Sequence, residues 1–260
     1  MDFEFDFDRL VVPFRMQPGL ARLDPSERQL IALDPASQLF EEKRAVVEAG
    51  QSRQIVPGFD AGPALAAIAE HLPSDRIPEL AYRQDLAILD GETGTLPWLC
   101  VCVPSHWAPE EKLGLGFAAL HAPVADNELL VKASAQLVKL ATSGECWERY
   151  VMTVSTSPRY DQHPRRHARK PWPASADDQA FAESCWLRAE RQTFFPVLRG
   201  TRQAVFTIHV MLKPLGEAVA APGAAGRLHD WLASMSPAVL EYKGLAPARE
   251  PLLRWLKARG

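Results

Sequence analysis

The spacing of apolar residues changes near Leu80. Before it, residues 1 to about 55 read as an irregular lead-in broken by two Asp-Pro dipeptides. Within that stretch, residues 36–49 have helical spacing, capped by Asp34 or Ser37 and stopped by Gly50. A second helix is predicted in "GPALAAIAEHLP", ending at Pro73. Beyond Leu80 the pattern turns to strands. "DLAILDGETGTLPWLCVCVPS" predicts a hairpin with a loop longer than two residues. "APEEKLGLGFAAL" has helix-start chemistry, with Pro109 in the first turn and two glutamates after it. Residues 127–142 predict the strongest helix of the chain, with Leu130, Leu137 and Leu140 close to one apolar face. "RYVMTVST" and two strands in residues 185–215, joined by a turn at Arg199–Gly200–Thr201, bring the strand count to about five. "VAAPGAAG" then links to a helical tail over residues 226–259. The expectation is an α+β fold, an antiparallel sheet with helices packed on it, divided as an N-terminal extension 1–79, a core 80–216 and a C-terminal helical tail 217–260.

Composition narrows the function classes. With 260 residues, 47% of them hydrophobic, the chain can bury a full core. A net charge of −3 gives no global attraction to nucleic acid. No apolar run approaches the roughly 20 residues of a membrane helix. The acidic start "MDFEFDFDRL" is unlike a basic export signal, so a cytoplasmic protein is expected. Cys100, Cys102, Cys146 and Cys185 lack CxxC spacing and read as reduced thiols.

The chain has no GxGxxG after a strand, no GxxxxGK[ST], no GxSxG and no HExxH. Its candidate chemistry lies in "CWLRAERQTFFPVLRGTRQAVFTIHVMLKPL". Strand parity puts Arg188, Glu190 and Gln192 on one face of the first strand and Arg191 and Thr193 on the other. In the second strand Thr207 and His209 share a face. Those charges read either as a half-solvated sheet face or as the wall of a polar cavity. Of seven histidines, His71 and His229 read as surface or capping residues, and His163 and His167 as part of an exposed basic loop rather than a helical metal pair. That loop is a candidate dock for an acidic redox partner. His121 ends the apolar "LGFAAL" run: it is either a hydrogen-bonded core histidine or a neutral imidazole suited to haem or metal ligation.

The order of strands and helices suits a PAS-like sheet. "CVCVPSHWAPEEKLGLGFAALHAPV", "LRAERQTFFPVLRGTRQAVFTIHVMLKPL" and "EYKGL", with the early "PFRM…GLARLD", together resemble the haem-binding subunit of the haem-dependent oxidative N-demethylase family, in the same order from Val12 to Leu256. The resemblance implies a PAS-like domain holding haem b, whose iron works with dioxygen on an N-methyl group of a small amine. Formaldehyde leaves when the carbinolamine product breaks down. Electrons would come from NADPH through flavin and iron–sulfur carriers on partner subunits, a reductase for which this chain carries no motif. On that resemblance His121 is the first choice as iron ligand, with His163 and His209 as alternatives. Glu190 would pair with a protonated amine, Arg188 or Arg191 would hold dioxygen or a haem propionate, and Thr207 and His209 would line the oxygen side. Two other classes stay open: a haem-binding PAS sensor without turnover, and a PAS-like domain without haem.

Overall fold

The computed structural model describes residues 5–174 and 177–260; the first four residues of the acidic start lie outside them. Seven strands form a single antiparallel sheet: β1 (Ala21–Leu23), β2 (Arg53–Ile55), β3 (Asp85–Asp90), β4 (Thr95–Cys100), β5 (Cys146–Ser155), β6 (Trp186–Pro196) and β7 (Gln203–Pro214). Their spatial order is β1-β5-β6-β7-β3-β4-β2. Eleven α-helices accompany them among the described residues: α1 (Gln38–Glu48), α2 (Gly62–His71), α3 (Pro78–Ala81), α4 (Phe117–His121), α5 (Glu128–Lys132), α6 (Ser134–Ala141), α7 (Asp178–Glu183), α8 (Leu215–Ala218), α9 (Ala224–Ala233), α10 (Pro237–Lys243) and α11 (Arg249–Lys257). The fold is α+β, as the sequence predicts. No helix among the described residues is long and apolar enough to cross a membrane.

Local chemistry explains several boundaries. The Ser37 hydroxyl accepts the Phe40 N–H at 3.2 Å to cap α1, and Gly50, with φ +68°, lets the chain leave it. The β3–β4 loop spans residues 91–94, and Gly91 is required there: a Cβ would stand 2.5 Å from the Arg202 carbonyl oxygen. The predicted long helix over 127–142 is instead two, α5 and α6, divided at Ala133. Leu130 is buried from α5 and Leu137 from α6, while Leu129 and Val131 face solvent, so each segment turns its own apolar side inward. "APEEKLGLGFAAL" likewise yields a 3-10 turn at Pro109–Glu111 and then the short α4. The two strands beyond the expected five, β1 and β2, have three residues each, too few for an alternation to register.

Register decides which charges meet. In an antiparallel pair, residues directly opposite share a face. Arg188, Glu190 and Gln192 of β6 lie opposite Thr153, Val151 and Arg149 of β5, and opposite Leu212, Val210 and Ile208 of β7. This first face is covered by α1, α6 and residues 101–113. Arg191 and Thr193 lie opposite Tyr150 and Glu148 on one side and His209 and Thr207 on the other. That second face is covered by α2 and the C-terminal helices.

One buried ion pair fastens α1 to the sheet. The Lys43 ammonium lies 2.9 Å from Asp85 Oδ1, and both side chains are fully enclosed. Lys43 also donates to the carbonyls of Tyr82 and Gln84, at 3.2 and 2.8 Å. The other Asp85 oxygen accepts the Val103 N–H at 2.8 Å, which fixes the segment leading to Ser105. Burial pulls the Lys43 ammonium down, but Asp85 more than offsets it and the group stays charged. The four cysteines are free and buried, as expected of reduced thiols.

Candidate functional site

The first face of the sheet gathers an unusual set of charges at β5 and β6. Glu190, 8% exposed, accepts hydrogen bonds on both oxygens. Oε1 takes the Ser105 hydroxyl in a short contact, and Oε2 takes the Gln192 amide at 2.7 Å. Arg188 is enclosed, 1% exposed, and its donors are engaged: Nε to Ser105 Oγ at 2.6 Å, Nη2 to the Val103 carbonyl at 2.9 Å and Nη1 to the Arg159 carbonyl at 3.3 Å. Burial lowers its pKa, and the acids Glu190, Asp85, Glu42 and Asp161 only partly offset that. Each of its three nitrogens is thus bonded within the protein. Arg188 orients Ser105, whose hydroxyl hydrogen is left to point at Glu190.

Beside Glu190, Arg149 of β5 is the counterexample. Its Nε is buried without an acceptor, and the guanidinium makes no ion pair among the described residues. Burial lowers its pKa, with the charges of Glu190 and Tyr242 opposing. Arg149 as a whole is half-buried, so the cost falls on the unmet Nε rather than on the entire cation.

His121 closes α4 and is half-buried. Its Nδ1 lies 2.8 Å from the Phe117 carbonyl oxygen, and its ring stacks on Phe117 with centroids 4.1 Å apart. A carbonyl can only accept, so Nδ1 carries the proton and Nε2 keeps its lone pair. Burial lowers the His121 pKa; the Phe117 hydrogen bond opposes this, while nearby Arg149 and Lys112 reinforce it, and the net shift is downward, favouring the neutral ring. From α10, Lys243 donates to the Met152 carbonyl at 3.1 Å, and burial pushes its ammonium down to about 8. Tyr242, half-exposed, adds a phenol raised by burial and by Glu190, against the pull of Arg149.

The sequence-predicted residues do not all meet. Glu190 and Arg188 are together, and Arg149 acts electrostatically on both Glu190 and His121. Arg191, Thr207 and His209 lie on the opposite face of the sheet, so they do not complete a single cavity with Glu190 and Arg188. There Arg191 binds Glu148 at 3.0 Å and the Arg28 carbonyl at 2.9 Å, while the hydroxyls of Thr207 and Thr193 bond at 2.7 Å. His209 is 6% exposed and makes no hydrogen bond among the described residues. His163, read as part of an exposed loop, is instead buried: Nδ1 accepts the Arg165 N–H, which leaves Nε2 to donate to Glu110 at 3.1 Å. Both its nitrogens are occupied. Two cations of the basic loop are also ion-paired, Arg165 with Glu110 and Glu111 and Arg166 with Asp161.

Sequence reading missed Arg149, Ser105, Tyr242 and Lys243. Three had a signal, since Ser105 sits in "CVPSHW" and Tyr242–Lys243 in "EYKGL", both stretches singled out as motifs. Arg149 had none. Among the described residues no cluster of three or more His, Cys, Asp or Glu could hold a bare metal ion.

Fold and site together define an α+β protein with one antiparallel sheet, whose charged face sets a hydrogen-bonded carboxylate near a guanidinium that has no direct ion pair among the described residues. Residues 76–253, more than half of the chain, match the family described as haem-dependent oxidative N-demethylase, alpha subunit-like. The chain belongs to that family and is a haem-dependent oxidative N-demethylase-like subunit.

Proposed function

We propose that this chain holds haem b against its first sheet face and oxidises an N-methyl group of a small amine, using dioxygen and electrons from a separate reductase. The observation that carries this reading is the protonation of His121. Its Nδ1–H bond to a backbone carbonyl is the outer partner that iron- and zinc-ligating histidines commonly have, and it leaves Nε2 available. Arg149 adds a half-buried cation with no direct ion pair among the described residues, which suits a haem propionate. The residues present thus fit the group, with His121 as ligand and Arg149 as anion partner. Haem, when bound, supplies the iron at which dioxygen is activated.

This chain's own residues supply binding and orientation. Glu190 offers the carboxylate for a protonated amine, and its two existing hydrogen bonds fix its plane. Ser105 and Arg188 keep that carboxylate in place. Arg191, Thr207 and His209, across the sheet, have no part in this reading.

Reconstitution with haemin tests it. Wild type should show a sharp Soret band, His121→Ala should weaken or shift it, and His163→Ala should leave it unchanged. A band unaltered in His121→Ala would remove His121 as ligand, and no band beyond free haemin would end the haem reading. Glu190→Gln should keep the Soret band while reductase-supported formaldehyde release falls about a hundredfold, chiefly through KM, as expected for losing a charge-assisted contact. Undiminished turnover in that variant would take the amine away from Glu190. A sensor without turnover would bind haem and release no formaldehyde.

A further inference from the structure

Only Cys146, Trp147 and Glu148 of β5 pair with β1. Beside the next residues of that edge, between them and residues 9–21, lies a cavity of about 270 Å³. Phe14, Tyr150 and Trp231 line it, together with Glu148, Arg15 and Lys243. Aromatic rings around a carboxylate look at first like a cage for a methylammonium group.

Charge excludes that occupant. Glu148 is already answered by two guanidiniums, Arg9 at 2.6 Å and Arg191 at 3.0 Å. Each ring also already meets one cation: the Lys243 ammonium lies 5.9 Å from the Phe14 centroid and 5.8 Å from that of Trp231, and Arg9 lies 5.0 Å from that of Tyr150. Arg15 lines the cavity and forms no ion pair among the described residues. Positive charge is therefore in surplus, and an anion is the complementary ligand. Size sets the rest. A dry cavity of about 150 Å³ accepts benzene, and drug-sized ligands occupy upwards of about 300 Å³, so this space suits one or two rings.

We propose that the cavity beside the outer edge of β5 binds a flat aromatic carboxylate of one or two rings, its carboxylate held by Lys243 and Arg15 and its rings against Phe14 and Trp231. The cavity lies at the edge of β5 and shares Arg149 with the proposed haem face, so the two sites adjoin. The cavity's residues 9–21 lie outside the family-matched stretch 76–253.

Titration calorimetry on the full chain, with and without haem, tests this with 2-naphthoate as probe and 2-naphthylmethylammonium as its charge-reversed control. Naphthoate should bind both forms and the ammonium neither. Arg15→Glu, a surface change, and Lys243→Met should each weaken naphthoate about tenfold, the loss of one charge-assisted contact. Equal affinity for the ammonium, or an unaltered Arg15→Glu, would overturn the site. Binding that vanishes when haem is loaded would also overturn it, by showing that the cavity belongs to the haem face; the haemin spectrum of His121→Ala tests that face independently.

Discussion

Lys43→Met should lower unfolding stability by about 3–5 kcal/mol, the cost of breaking a buried ion pair from one side. Methionine nearly preserves the packing of the lysine stem, so the loss isolates the charge. It leaves Asp85 ionised in the core with only the Val103 N–H for company, and deprives the Tyr82 and Gln84 carbonyls of their donor. Asp85 Oδ1 also loses the ammonium that lies 2.9 Å away. Urea unfolding would show a lower midpoint with an unchanged slope. Adding Asp85→Asn should recover part of the loss, because the orphan charge is then gone. A change below about 1 kcal/mol would mean that the pair contributes little beyond its own desolvation. The effect also reaches the site, since Val103 precedes Ser105 by two residues and the Val103 carbonyl holds Arg188.

Acid should destabilise the protein well before its carboxylates titrate. Burial pushes the His209 imidazole down to about 4, and the cations Arg83, Arg191 and Lys43 push in the same direction. The unfolded chain takes up this proton near the ordinary value of about 6.5, whereas the folded chain refuses it until about pH 4. Stability is therefore complete above about pH 6.5 and falls as pH drops through that window, by about 1.4 kcal/mol per pH unit once the unfolded histidine is charged. The loss approaches about 3 kcal/mol at pH 4. His209→Leu should flatten the curve of unfolding free energy between pH 6.5 and 4.5. A slope identical to wild type in that variant would assign the acid limb to other groups, of which His106, also pushed down to about 4, is the first.

How far the fold could be read ahead varied with how local its cause was. Helix α1 was legible because a serine and a glycine mark its ends within one turn. The break at Ala133 was not, because every residue near it is compatible with a helix and the turn comes from what each half buries. The charged hairpin shows the same division. Parity along β6 correctly grouped Arg188, Glu190 and Gln192, since it needs one strand alone. Which residues of β7 share their face depends on the register, and the register on the connection between the strands. That connection runs over residues 197–202, longer than the predicted turn at Arg199–Gly200–Thr201, and it pairs Glu190 with Val210. A slip of one residue would have placed Glu190 opposite His209 and united the predicted cavity. Arg149 was invisible for another reason: an arginine alternating with apolar residues in a strand resembles any solvent-facing position, and only its missing partner sets it apart.

The two shortest strands carry a consequence out of proportion to their length. β1 and β2 come from the first 55 residues, yet they border opposite ends of the sheet, against β5 and β4. A protein trimmed to the family-matched stretch would lose both borders at once. Two rows of unsatisfied backbone donors and acceptors would then face outward, ready to template pairing with a second molecule. The stretch before the core thus works as selvedge: without it the same sheet would grow by recruiting copies of itself.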